Sequence, residues 1–170
     1  MDDKTRDFLH FCDKLIERYS ELGVTKEELE DFGRLGVMKM LFFSVVAMNN
    51  GGQNQIIDEE IFNNFWALPN GPAESDCYNE IYTEYNPVFE NKLRNREFRN
   101  ISPKSGSVIE LMVKSIPTIL FTKTTFELVQ ISHRFGSWIN AYKEAVKNNR
   151  KASKMDNDLI KGEDIFLAVI

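Results

Sequence analysis

The sequence predicts a mainly α fold, a single compact helical domain over residues 1–170 with room for a minor short strand or hairpin element. Three observations carry that prediction. Apolar residues recur at helical spacing between Phe8 and Leu22. Leu35 to Met48 is apolar almost all round, as a buried central helix must be. No stretch has the length and composition of a linker between domains. At 170 residues, 42% hydrophobic and 28% charged, the chain can bury one real core and is too apolar to stay disordered.

The first helix is predicted over 3–22. Phe8, Phe11, Cys12, Leu15, Ile16, Tyr19 and Leu22 fill one face, and Asp13, Lys14, Glu17, Arg18 and Glu21 fill the other. Gly23 is suited to the left-handed residue that ends it. Thr25 and Glu28 have capping-box spacing for a short helix. Gly33 and Gly36 are expected to loosen the chain before the buried helix, and Asn49-Asn50-Gly51-Gly52 stops that helix.

Asp58 is read as the N-cap of a short helix presenting Ile61, Phe62, Phe65 and Trp66, closed by Pro69. Pro72 then suits the first turn of another helix, with Ala73, Cys77 and Ile81 on its face. The stretch WALPNGP is thus expected to be a rigid helix–turn–helix corner over Trp66. Residues 88–106 are polar, and Ser105-Gly106-Ser107 is a turn. Val108 to Ile116 is apolar and fits helix or strand. Thr124 or Thr125 caps a helix reaching Arg134. Gly136-Ser137 makes a break and a new cap before Trp138, Ala141, Tyr142 and Ala145. Residues 148–154 read as a basic loop, and the tail from Leu159 as a short docking segment.

Charge is distributed unevenly. Residues 1–91 carry eighteen acids against seven bases, and residues 92–170 carry fourteen bases against eight acids. Such a dipole steers a charged partner, or is neutralised where the halves pack together. The start, MDDKTRDF, lacks a basic segment followed by an apolar one, so a secretory signal is not expected and a cytoplasmic location is. No run is apolar and long enough to predict a membrane span.

Two histidines and two cysteines give little for a metal, and no CxxC or HExxH occurs, so neither metal nor other cofactor is expected. Asp76, Cys77 and His133 hold the residue types of a cysteine nucleophile set. Packing explains Cys77 better, since buried cysteine is ordinarily inert. No catalytic residue is assigned. Lys92, Arg94, Arg96, Arg99 and Lys104 form a candidate basic patch, and Lys143 to Lys154 a second basic segment.

Three pieces in order, KMLFFSVVAMN, FWALPNGPAESDCYNEIY and LVQISHRFGSWINAY, resemble the Panacea domain, a SocA-like antitoxin family of phage-associated proteins. The matching positions are Lys39, Leu41 and Phe43; Ala67, Gly71 and Pro72; Ser132, His133 and Trp138. The resemblance covers residues 33–147, with the helix 3–22 and the stretch 88–106 as additions. Trp66-Ala67 stands where the family more often has Ala-Trp. Asn-Gly-Pro replaces the frequent His-Gly-Pro, and Ala73 a usual valine.

The resemblance implies a helical antitoxin, not an enzyme, that binds and neutralises a cognate toxin encoded nearby. In an adaptor mode it delivers that toxin to a protease. Lys39, Trp66, Ala67, Gly71, Pro72, His133 and Trp138 are expected to maintain the fold more than to touch the partner. The alternative function is a nucleic-acid-binding regulator using 92–104 and 143–154.

Overall fold

The computed structural model describes residues 2–25, 27–29, 32–80 and 103–170. It is a mainly α domain with one small antiparallel sheet. Helix α1 runs Asp3–Glu21, α2 Gly33–Ala47 and α3 Gln55–Asp58. Strands β1 (Phe65–Leu68) and β2 (Gly71–Glu74) come next. After them come α4 (Gly106–Ser115), α5 (Thr125–Ser132), α6 (Gly136–Lys147), β3 (Ser153–Lys154), α7 (Asn157–Lys161) and α8 (Ile165–Val169). The sheet order is β2-β1-β3.

Helix α2 is the axis of the core. Every residue from Gly36 to Val46 is buried, including Lys39 and Ser44. It packs on β2, α4 and α5, while α1 packs on α4 and α6 covers β1 and β3. Phe42 meets Phe65 and Phe135 edge-on at ring separations of 5.5 and 5.1 Å. Such edge-to-face pairs add roughly 1 kcal/mol each to the burial of the rings. The predicted amphipathic α1 is present and buries Phe8, Phe11, Cys12, Leu15 and Tyr19. Its end has the predicted geometry: Gly23 takes φ +81°, and Val24 and Gly23 donate to the carbonyls of Tyr19 and Ser20.

Thr25 and Glu28 exchange the capping-box hydrogen bonds, but the residues described beyond them form only a turn. Gly33 and Gly36 do not break the chain; both lie in α2, where Gly36 lets the Phe32 ring approach the helix.

The largest correction concerns residues 54–77. Asn54, not Asp58, caps α3, accepting from the amides of Ile56 and Ile57. Asp58 ends that helix, and Glu60 turns the chain at φ +56°. The chain then forms a β-hairpin in place of the helix–turn–helix corner. Phe65 pairs with Glu74, Trp66 with Ala73, Ala67 with Pro72 and Leu68 with Gly71. In β1, Phe65 and Ala67 are buried while Trp66 and Leu68 are half-buried, which is strand alternation. The apolar run is also too short to bury a helical face against α2. Pro72 therefore sits in an edge strand, where its missing N–H leaves no ladder bond open, and not in a first helical turn. Cys77 lies in the turn after β2, not on a helix with Ile81, and Ile81 falls outside the described residues.

Val108 to Ile116 is helix up to Ser115, which settles the choice between helix and strand. Thr124 is the cap of α5. Ser137 is not the cap of α6: its amide is held by Glu163 Oε1 at 2.6 Å, from twenty-six residues further along the chain. Likewise, buried Asp7 of α1 accepts the Ser105 amide at the start of α4, at 2.9 Å. Both carboxylates face helix N-termini, where the exposed amides favour negative charge. The basic loop at 148–154 contains β3, whose Lys154 and Ser153 pair with Trp66 and Ala67. Among the described residues, no helix is long and apolar enough to cross a membrane.

Glu74 ties the hairpin to α1. Its carboxylate is fully buried. Oε1 accepts from Lys4 Nζ at 2.8 Å and the Asn64 amide at 3.1 Å. Oε2 accepts from the amides of Asp76 and Cys77, both at 3.0 Å. Asp76 shares Lys4 at 2.7 Å but is half exposed. Glu74→Ala is therefore expected to cost about 3–5 kcal/mol, because it leaves three amides without their acceptor and takes from Lys4 the buried one of its two carboxylates. Asp76→Ala is expected to cost under about 1 kcal/mol. Urea unfolding of both variants measures the difference.

Candidate functional site

The hairpin turn is the point where the residues singled out in the sequence meet. Pro69 and Asn70 form its exposed tip, and Gly71 leaves it at φ +103°, a conformation that side-chain-bearing residues rarely adopt. Three side chains face its carbonyls. Trp138 Nε1 of α6 donates to Leu68 O at 2.9 Å. The His133 ring, at the end of α5, lies close enough to the Pro69 carbonyl to feel it electrostatically. Lys39 Nζ of α2 donates to Pro72 O at 2.8 Å. A Cβ on Gly71 would fall 2.7 Å from Lys39 Cε and still closer to Ser132 Oγ. The glycine is thus required twice, by its backbone angle and by this approach.

Behind the donors stands a stack of rings. His133 and Trp138 lie with centroids 4.1 Å apart and planes 16° apart, and Trp138 and Tyr142 continue it at 4.9 Å and 13°. Trp66 and Ala67 belong to the same hairpin, with the Trp66 indole N–H held by Asn64 Oδ1 at 3.0 Å. Trp66 does not pack beneath the turn; it lies on the outer face of β1, opposite Ala73 and Lys154. So Lys39, Trp66, Ala67, Gly71, Pro72, His133 and Trp138 share one structural unit.

The electrostatics of this unit come from burial. Lys39 is only 1% exposed, and burial pushes its pKa down to about 7. His133 is also lowered, first by burial; the Pro69 carbonyl works against that shift, and the Lys39 amine adds to it. His133 Nε2 is buried without a hydrogen-bond partner. Lys39 beside Ser132 has the residue types of a serine–lysine pair. Yet both are buried under Gly71, and Ser132 Oγ donates to Val129 O at 2.7 Å. With the hairpin in place no substrate reaches them.

The other sequence candidates fall elsewhere. Burial, with the Glu74 carboxylate beside it, pushes the Cys77 thiol far up, so no thiolate forms near neutral pH. Lys104 is paired with Asp3 at 3.4 Å. Lys92, Arg94, Arg96 and Arg99 lie outside the described residues. Among the described residues, no group of three or more His, Cys, Asp or Glu is arranged to hold a metal ion. A cleft of about 660 Å³ opens between the end of α1, Phe32 and Phe121, and the Tyr19 hydroxyl beside it is buried without a partner.

Sequence reasoning misses Glu74, Asp7 and Glu163. Asp7 and Glu163 hold amides far away in the chain, and Glu74, which suits the start of a helix in the sequence, instead joins the nearby amides of Asp76 and Cys77 to Lys4 of α1. No protein-family model, curated protein or solved structure matches this chain.

The clasp makes stability depend on one glycine and on pH. Gly71→Ala is expected to destabilise the protein by about 2–4 kcal/mol through backbone strain and overpacking, measured by denaturant unfolding. For pH, the group that matters is Lys39. Below pH 7 it carries its proton in both the folded and unfolded states, and the folded state bears the full cost of a buried charge. Above pH 7 the unfolded chain keeps the proton longer, so stability rises with pH by up to about 1.4 kcal/mol per pH unit. Cys77 acts in the opposite sense above the ordinary thiol range, since its folded pKa is raised. The clean window is therefore about pH 7 to 8.5. Lys39→Met is expected to remove the rise there, as read from urea midpoints across that range.

Proposed function

We propose that this chain is an antitoxin-type interaction module that binds a cognate toxin and neutralises it by covering its active surface. The observation that carries this reading is the hairpin clasp. The three segments resembling the Panacea domain are distant in sequence, and their matching polar and glycine positions meet at one turn through Lys39, Gly71, Pro72, Ser132, His133 and Trp138. A motif set that forms one physical unit is what a shared fold of that family would require. The clasp is the scaffold, and its buried groups are spent on the hairpin's own carbonyls.

The partner contacts lie on the surface. Glu17, Glu21, Glu27, Asp58, Glu59 and Glu60 are exposed in the acidic first part of the chain. They suit a basic toxin, such as one acting on nucleic acid, and would speed its capture at low salt. Delivery of the toxin to a protease is a further mode of the same binding.

The test is co-expression. The neighbouring open reading frame is expressed in a bacterial host with and without this chain. Restored growth with co-purification at a fixed stoichiometry is the expected outcome, and affinity is expected to fall steeply with added salt. Protection by far less than one equivalent, with the toxin level unchanged, would point to an enzyme instead. A harmless neighbour, or a toxic one neither bound nor relieved, overturns the reading. In the adaptor mode the toxin level falls, and the fall disappears in a protease-deficient host.

A further inference from the structure

We propose that the C-terminal end of α6, the turn after it and strand β3 form a docking surface for single-stranded nucleic acid. In this surface Lys143, Lys147, Arg150, Lys151 and Lys154 contact the phosphates, and Trp66 stacks on a base. This surface is independent of toxin binding. It rests on how the chain is folded there, not on the basic composition alone.

Five cations fall within twelve residues, and the single acid among them is Glu144. All five are exposed, and among the described residues none forms an ion pair. Glu144 is engaged by Asn148, whose amide nitrogen donates to Glu144 O at 2.8 Å and Oε2 at 3.2 Å. Lys4, Lys14, Lys104, Lys123 and Lys161, by contrast, each have a carboxylate partner.

The fold strings these charges along the end of α6, the turn after it and β3. Lys143 and Lys147 are one helical turn apart on α6, on the same side. Asn149 then takes φ +54°, and the Arg150 amide returns to Ala145 O at 2.8 Å, so the chain reverses direction. Ser153 Oγ bonds Ala141 O, which holds β3 alongside α6. Lys154 stands opposite Trp66 in the antiparallel register, on the same face of the sheet. Trp66 alternates with buried Phe65 and Ala67, so its half-buried indole faces away from the core, and Asn64 holds its N–H.

The chemistry selects the partner. Cations alone attract any polyanion. The Trp66 indole, opposite Lys154, adds a flat face that a base occupies and a carboxylate or a lone phosphate does not. A duplex hides its base faces, so the single strand is the form that uses both features.

The test uses the full chain and a labelled oligothymidine of about twenty nucleotides, with fluorescence anisotropy read over a salt series. Five phosphate contacts predict a slope of log K against log salt near −3.5, at about −0.7 per contact. The double variant Lys147→Gln, Arg150→Gln is expected to bring the slope to about −2, and these exposed positions leave the fold intact. Trp66→Leu is expected to weaken binding by about fivefold or more with the slope unchanged, and thermal unfolding checks that the hairpin survives. Tryptophan fluorescence gives a second readout, because oligothymidine should quench the wild type and not Trp66→Phe.

No binding at low salt overturns the proposal, as does binding that the double variant leaves untouched. Equal affinity for polyglutamate, or for a duplex with no dependence on Trp66, would show a general polyanion surface and overturn the single-strand assignment.

Discussion

The hydrogen bond from Lys39 to the Pro72 carbonyl is the contact on which the rest of the structure depends. An amine is placed at the centre of an otherwise apolar helix, at a cost that shows in its depressed pKa. That cost is offset by one acceptor, held at the right place by a two-residue turn. The turn is held in its own right by Trp138, so the carbonyls of the hairpin join α2 and α6, and His133 of α5 stacks on the Trp138 ring. Gly71 makes the arrangement possible, since any Cβ would drive the hairpin off the amine. A hairpin this short is marginal alone and acquires its stability from these donors and from the sheet's third strand.

Around this centre the protein repeats a second device. Carboxylates from one segment satisfy amides in another: Asp7 for α4, Glu163 for α6, Glu74 for the turn at Asp76 and Cys77. Asp7 and Glu163 link elements far apart in sequence, and each replaces a local cap that the sequence lacks. The ends of α4 and α6 are thereby made conditional on the tertiary fold, since neither Ser105 nor Phe135 supplies a side-chain cap of its own. Helices secured in this way are stable only together, which favours a cooperative single unit.

Some elements are legible because their information is local. The face of α1, the left-handed Gly23 and the Thr124 cap are each settled within a few residues, and there sequence and structure agree. The clasp residues stand out in the sequence as well, though by resemblance and not by physical reasoning. The hairpin reads as two short helices because Asp58, Pro69 and Pro72 look like helix punctuation in either case. Four-residue strands offer two alternations at most, too few to outweigh those signals. The same signals put Trp66 under a corner, whereas the strand turns it outward beside Lys154.

By itself the sequence determined the mainly helical class, the buried central helix, the end of α1 at Gly23 and the Thr124 cap of α5. These depend on periodicity and on interactions that span a turn or two of chain. Only the tertiary structure decided that Lys39 is buried and bonded to Pro72, that three acids complete helix ends and turns outside their own elements, and that Lys154 comes to stand opposite the Trp66 indole. Those outcomes turn on which polar groups come within hydrogen-bonding reach after α2 is covered. That is a property of packing, and no spacing along the chain encodes it.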